Sequence, residues 1–186
     1  MTKNKREGTK GDASVIWILI AIICGSVALD QLTKWIAVLY LRPVESVPLW
    51  EGVLHLTYVE NRGAAWGMLA DHRWVFMVFS TIAIVGLGIY LFGFSKEPTW
   101  VKVSLALVVG GGIGNMIDRV FLGYVVDFIY FAVINFPVFN VADSCVTVGA
   151  GILMFYFIKD FINEMRASKE TGDLGQEPHD DSADES

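Results

Sequence analysis

The sequence has few residues of the kinds that bind metals or form disulfides. Its 186 residues include two cysteines and three histidines. Cys24 and Cys145 both lie in apolar segments without a CxxC motif, and we interpret them as small buried hydrophobic residues. The histidines, His55, His72 and His179, are too scattered to form a metal cluster or a nucleophile and base pair. We therefore expect no metal site and no cofactor.

Charged residues are also scarce. They make up 18% of the chain, whereas 54% of the residues are hydrophobic and the mean hydropathy is +0.50. This composition is typical of a membrane protein rather than of a soluble domain. The net charge of −6 comes from residues 167–186, which hold seven acids and one lysine. We expect this acidic tail to be disordered, and we expect no nucleic-acid partner.

Four apolar segments are each long enough to cross a bilayer, which takes about 20 residues of helix. They cover about residues 14–41, 75–94, 100–121 and 141–162. The first segment could also be a cleavable signal peptide, because a basic stretch precedes its apolar run. The apolar run resumes from Trp35 to Leu41, so we expect the segment to stay as a membrane helix.

The placement of lysine and arginine predicts how these helices are oriented. Nine of these residues lie in the N-terminus, in the loop around 95–102 and in the C-terminal flank, whereas four lie in or beside loops 42–74 and 122–140. Cytoplasmic loops carry the excess of positive charge in membrane proteins. We therefore expect both termini in the cytoplasm and the two longer loops outside.

The two longer loops contain segments with their own predicted structure. Val53–Val59 is β-branched and aromatic with partial alternation, as in a strand, and Tyr124–Phe131 (YVVDFIYF) also reads as extended. Gly63–Ala70 could form a short helix at the membrane surface. We therefore predict an all-α polytopic membrane protein with four transmembrane helices, a small extracytoplasmic β-sheet and a surface helix. Residues 1–166 would form one membrane-embedded domain.

Polar residues converge at one end of this predicted helix bundle. An ionisable side chain in a membrane segment is by default a functional candidate. The residues placed near the outer interface are Asp30, Lys34, Asn61, Asn115, Asp118, Arg119, Asp127 and Asp143.

Several of these residues also have a purely structural interpretation. Asp30 and Lys34 are four residues apart on one helical face, and a simple ion pair is the more favoured reading. Asn140 followed by Asp143 resembles a helix cap. Arg119 could extend toward lipid headgroups, or it could bind a substrate carbonyl or a lipid phosphate.

Asp127 has no comparable structural explanation, since it lies in an apolar run with no basic residue within four positions. A buried carboxylate takes a partner or a proton. The loop 128–142 is long enough to fold Asp127 back onto Asp143. Two close aspartates would split into an acid and a base, which is the arrangement needed to activate water against a peptide carbonyl.

Five sequence motifs, in their order and spacing along the chain, resemble those of the bacterial lipoprotein signal peptidases, also called the signal peptidase II family. They are DQLTKW (Asp30–Trp35), NRGAAWG (Asn61–Gly67), GGGIGNMIDR (Gly110–Arg119), GYVVDF (Gly123–Phe128) and FNVADS (Phe139–Ser144). The resemblance covers about residues 14–165. It implies a membrane aspartic endopeptidase that removes signal peptides from diacylglyceryl-modified prolipoproteins, cutting before the lipidated cysteine.

The resemblance also implies roles for individual residues. Asp127 and Asp143 match the catalytic pair. The positions expected to line the site and hold substrate are Asn61, Gly63, Asn115, Arg119 and Asn140, and those expected to shape it are Asp30, Lys34 and Asp118. The expected setting is the bacterial cytoplasmic (inner) membrane, with the active site at the outer interface, membrane lipids as further partners and a monomeric state.

Two other classes remain open from the residues alone. A small ion or proton transporter would also place acids in membrane helices, but transporters commonly contain internal repeats and mid-membrane sites. The sequence has no internal repeat, and its carboxylates gather at one end. A non-catalytic membrane scaffold would leave Asp127 unexplained.

Overall fold

The computed structural model describes residues 4–63 and 73–173, which form four helices and a three-stranded sheet. The helices are α1 (Asn4–Ile36), α2 (Arg73–Ile89), α3 (Thr99–Phe121) and α4 (Val141–Asp173), and the strands are β1 (Ser46–Trp50), β2 (Leu54–Asn61) and β3 (Val125–Phe131). π-Helical turns extend α1 over Ala37–Leu41 and α2 over Tyr90–Phe94. One 3-10 turn, Ala132–Ile134, follows β3.

Each helix contains a segment that is long and apolar enough to span a membrane. These segments are Ser14–Leu41, Met77–Phe94, Thr99–Phe121 and Val141–Ser168. The predicted fold class, four transmembrane helices with a small sheet, is confirmed. The helix α4 continues to Asp173, so the first residues of the tail predicted to be disordered are helical. The rest of that tail, 174–186, lies outside the described residues, as do positions 64–70 of the predicted surface helix.

The helix α3 lies at the centre of the bundle. Half of its most apolar window is buried, against 17% or less in the other three helices, whose remaining surface suits a lipid environment. It packs on α1, α2 and α4. Small residues permit this close approach. A Cβ atom on Gly114 would lie 2.6 Å from Asp30 Oδ2, and one on Gly149 would lie 2.6 Å from the carbonyl oxygen of Ser104.

The sheet is antiparallel with strand order β1, β2, β3, and it rests on the ends of α1 and α3. Val126 and Phe128 of β3 face inward and pack against Ala37 and Leu41 at the end of α1. In the β2–β3 pairing, Val59 lies opposite Asp127. An irregularity in register between Leu56 and Val59 precedes this pair, so it sets which residues of β2 meet the acidic end of β3.

Both predicted extended segments form strands, but β1 is an additional strand that sequence reasoning missed. Pro48 lies in its middle, and proline argues against an interior strand. The strand is at the edge of the sheet, where a missing N–H is tolerated, and Pro48 pairs with His55.

Candidate functional site

Asp127 and Asp143 enter the site from different elements. Asp127 lies within β3, and its side chain is 1% exposed. Asp143 lies in the first turn of α4 and is half-buried. The loop between them brings both side chains to the same cavity.

Asn140 directly precedes α4 and links both aspartates. The Asp143 N–H donates to Asn140 Oδ1 at 2.9 Å, and the Asn140 N–H donates to Asp143 Oδ2 at 3.2 Å, which is a reciprocal helix cap. Asn140 Nδ2 also donates to Asp127 Oδ1 at 2.6 Å. The cap interpretation and the dyad interpretation are therefore compatible, because the same asparagine serves both.

Each carboxylate oxygen of the pair receives a hydrogen bond. Asn61 Nδ2 donates to Asp127 Oδ2 at 2.9 Å, across the β2–β3 pairing. Asn115 Nδ2 donates to Asp143 Oδ1 at 2.7 Å, from α3. Within residues 4–63 and 73–173, no lysine or arginine makes an ion pair with either aspartate. Neutral amides, rather than cations, hold this pair.

Burial changes the acidity of Asp127. It raises the pKa of this carboxyl group from 3.8 to about 7, and the hydrogen bonds from Asn61 and Asn140 oppose the rise only in part. The nearby charge of Asp143 adds to the increase. Asp127 can therefore hold a proton near neutral pH, as a general acid requires.

A buried charged cluster lies beneath the pair. Lys34 Nζ is 2.8 Å from Asp30 Oδ2 and 3.0 Å from Asp118 Oδ2, and it donates to Asn115 Oδ1 at 2.9 Å. The Asp30–Lys34 ion pair within α1, favoured from the sequence, is present. It also extends to α3, because Asp118 shares the same ammonium group.

The two acids of this cluster also bind the backbone beside the candidate dyad. The N–H of Ala142 donates to Asp30 Oδ1 at 2.9 Å, and the N–H of Val126 donates to Asp118 Oδ2 at 3.0 Å. Gln31 completes the cluster by donating to Asp118 Oδ1 at 2.9 Å. Sequence reasoning missed Gln31, although its position beside Asp30 in DQLTKW was the available signal.

The cavity in front of the aspartates has a volume of about 580 Å³. Arg119 lines it, and its Nη1 donates to the carbonyl oxygen of Asn115 at 3.4 Å. The cavity is otherwise largely apolar. It is lined by Asn61, Gly63, Arg119, Phe131, Ile134, Phe136, Pro137, Val138, Phe139, Ser144, Thr147, Val148 and the two aspartates.

The structure brings all the predicted site residues together in two layers. Asn61, Gly63, Arg119, Asp127 and Asp143 line the cavity. The hydrogen-bonded layer behind it consists of Asp30, Lys34, Asn115, Asp118 and Asn140.

Part of the cavity wall was not foreseen. Phe131, Ile134 and residues 136–139 follow Asp127 in sequence, and the α4 positions 144, 147 and 148 follow Asp143. None of them carries a charge that would have singled it out. Among the described residues, no group of three or more histidine, cysteine or acidic side chains is arranged to hold a metal ion.

Comparisons with known proteins place this arrangement in context. A family model described as signal peptidase (SPase) II matches residues 21–159. The chain is 42% identical to a lipoprotein signal peptidase of Halalkalibacterium halodurans, over 84% of this chain and 98% of that protein. It is 49% identical to one from Caldanaerobacter subterraneus, over 75% of this chain and 94% of that protein.

Solved structures show the same likeness. One, described as a bacterial membrane enzyme at 2.3 Å resolution, matches with a TM-score of 0.74 and 33% identity, and covers 80% of this chain and 92% of its own. A second structure, described as a bacterial membrane enzyme at 1.9 Å, matches with a TM-score of 0.71, also at 33% identity, over 78% of this chain and 95% of its own.

Proposed function

Because the chain belongs to the signal peptidase II family, we propose that Asp127 and Asp143 form the aspartate dyad of a membrane endopeptidase. The family removes signal peptides from prolipoproteins, and this chain is a peptidase of that kind. The proposed cut falls before a diacylglyceryl-modified cysteine. The observation that carries the dyad is geometric: two carboxyl groups from different elements face one cavity and are joined through Asn140.

The dyad shares one proton between its two carboxyl groups at neutral pH. The raised pKa of Asp127 supports its role as the protonated member. Ionised Asp143 takes a proton from water as the water oxygen attacks the scissile carbonyl carbon, and Asp127 donates its proton to the carbonyl oxygen. Collapse of this tetrahedral intermediate breaks the C–N bond. The proton held by Asp143 passes to the leaving amine, and the proton on the former carbonyl oxygen returns to Asp127.

The cavity lining is suited to hold a peptide in an extended form. Asn61 and Arg119 supply polar groups at the cavity, and Gly63 lines it beside Asn61. The apolar wall, including Phe136 and Phe139, would accommodate the small apolar side chains and the lipid that flank the cleavage point. Asn115 and Asn140 would act by holding the two carboxyl groups in place.

The proposed setting is the bacterial cytoplasmic membrane, with both termini in the cytoplasm and the dyad at the outer interface. The distribution of lysine and arginine supports this orientation. Asp30 and Asn115 lie late in two helices and Asp143 begins a third, so the polar cluster lies at one end of the bundle, beside the sheet. We propose that the chain acts as a monomer in contact with membrane lipids.

The test of this function is cleavage of a diacylglyceryl-modified prolipoprotein by the purified protein in detergent, followed by mass spectrometry of both products. The expected products separate at the bond before the lipidated cysteine, and a metal chelator leaves the rate unchanged. The same substrate without the lipid is the control. Absence of cleavage, or cleavage at another bond, would contradict the proposed function.

A further inference from the structure

We propose that Lys34 is a positioning residue that sets the separation between Asp127 and Asp143. This inference rests on the proposed dyad. Lys34 does not reach the cavity, so its effect on the reaction would pass through other groups. Those groups form three connections, two of which lead to Asp143 and one to Asp127.

Lys34 uses its whole ammonium group inside the protein. The residue is 3% exposed, and its three partners are Asp30, Asp118 and Asn115, at 2.8, 3.0 and 2.9 Å. An ammonium group has three hydrogen-bond donors. Lys34 therefore joins α1 to α3 at one fixed point.

The two acids that bind Lys34 also bind the backbone beside the dyad. Asp30 accepts the N–H of Ala142, the residue just before Asp143, and Asp118 accepts the N–H of Val126, the residue just before Asp127. Each acid thus holds the backbone of one aspartate. Because both acids bind the same ammonium group, Lys34 fixes the two backbone segments relative to each other.

The hydrogen bonds of Asn115 fix the direction of its side-chain amide. Lysine can only donate, so the oxygen of this amide must face Lys34. The nitrogen then faces Asp143, to which it donates at 2.7 Å. Asn140 Nδ2 donates to the same oxygen at 3.1 Å, so Lys34 is one of two donors that set which end of the Asn115 side chain meets the dyad.

A local ion pair alone does not account for this arrangement. Asp30 at i−4 would satisfy a lysine within α1, and a pair of that kind needs no partner from α3. Buried ion clusters are also weak sources of stability, since replacing a whole cluster with apolar residues is often neutral, whereas removing one member leaves a buried charge unpaired. A positioning role requires further contacts, and they are present. Lys34 binds Asp118 on α3, and Asp30 and Asp118 each accept a backbone N–H beside the dyad.

The experiment compares wild type with Lys34→Met, which keeps an apolar side chain of similar length and loses the three donors. We expect kcat to fall about 100-fold, as a displacement of about 1 Å in reacting groups does, while KM changes little. Ser26→Ala is the matched control, because Ser26 is a buried polar residue of α1 whose hydroxyl group donates to the carbonyl oxygens of Ile22 and Ile23 in its own helix. Its kcat should stay at the wild-type value.

A rescue variant separates positioning from a merely structural role. Lys34→Gln is uncharged like Lys34→Met, but its amide nitrogen carries two N–H donors, so it can still bridge the carboxylates of Asp30 and Asp118. We expect kcat to recover about tenfold relative to Lys34→Met, because the link between the two acids returns without the ammonium group.

Backbone hydrogen exchange gives a readout that does not depend on activity. In Lys34→Met, the amides of Val126 and Ala142 should exchange faster than in wild type, and in Ser26→Ala they should not. If wild type does not cleave, the dyad proposal fails, and the exchange result still decides whether Lys34 fixes these segments.

Three results would overturn the positioning role: an unchanged kcat in folded Lys34→Met, no gain in the rescue variant, or unchanged exchange at both amides. If Lys34→Met does not fold, the rescue variant alone decides, since folded but fully inactive protein would contradict the inference.

Discussion

At the scale of single residues, the site depends on amides that hold carboxyl groups without neutralising them. Asn61, Asn115 and Asn140 donate to the two aspartates, while the cations Lys34 and Arg119 form no ion pair with either one. A direct cation would favour the ionised form and lower the pKa. Amide donors fix the geometry and leave one carboxyl group able to hold a proton.

The raised pKa of Asp127 predicts how stability depends on pH. The folded state keeps this proton up to about pH 7, whereas an unfolded aspartate loses it above 3.8. The stability contributed by the protonated group is therefore fully present below 3.8 and is lost as pH rises through about 7. The Asp127→Asn variant has no group at this position that can ionise. Between about pH 5 and about pH 8 it should therefore lose less thermal stability than wild type does.

The measurement is the thermal midpoint in detergent at the two pH values. Asp160→Asn is the control, because it removes a carboxylate from the exposed surface of α4. It should follow wild type. Equal losses in Asp127→Asn and wild type would contradict the assignment of a buried, protonatable group at position 127.

At the scale of secondary-structure elements, glycines determine how closely the helices approach. Gly149 of α4 faces the backbone of α3, so a Cβ there would lie 2.6 Å from the Ser104 carbonyl oxygen. Gly151, two residues later, has nothing within 4 Å of its Cβ position. Substituting each of these two glycines in turn therefore separates the effect of close helix packing from the effect of replacing a glycine within a helix.

We expect Gly149→Ala to destabilise the bundle by about 1–3 kcal/mol, since a backbone carbonyl cannot move aside as a flexible side chain would. Gly151→Ala should stay within about 1 kcal/mol of wild type. Thermal unfolding in detergent checks both. The packing account would be wrong if the two variants unfolded at the same temperature.

The sequence predicted the elements better than it predicted their contacts. The strands β2 and β3 follow from β-branched and aromatic patterning, whereas β1 was hidden by Pro48. Asp127 stood out because a lone acid in an apolar run is costly. The pairing of Lys34 with Asp118 could not be foreseen, because the two residues are 84 positions apart and only the packing of α1 on α3 joins them.

At the scale of the whole molecule, the proposed function depends on which side of the membrane each end of the helix bundle faces. The polar cluster and the sheet lie together at one end of the helices, and the short connection between α2 and α3 lies at the other. The proposed orientation places the first end outside. An extracytoplasmic site would meet a signal peptide after its lipidated segment has crossed the membrane.

Labelling of single cysteines tests this orientation. In a variant with Cys24 and Cys145 replaced by alanine, Glu51→Cys in the β1–β2 turn should react with a membrane-impermeant thiol reagent in intact cells. Lys96→Cys, in the opposite loop, should react only after the cells are opened. The reverse pattern would place the dyad on the cytoplasmic side and contradict the proposal.

The dyad itself is tested most directly by single-turnover cleavage of the lipidated prolipoprotein by Asp127→Asn and by Asp143→Asn. Asp160→Asn makes the same chemical change at an exposed position and serves as the control. Because the two carboxyl groups act as one unit, we expect each substitution to lower the rate about 1,000-fold or more in folded protein. Asp160→Asn should cleave at the wild-type rate. If either dyad variant kept about a tenth of that rate, the aspartate-dyad mechanism would be contradicted.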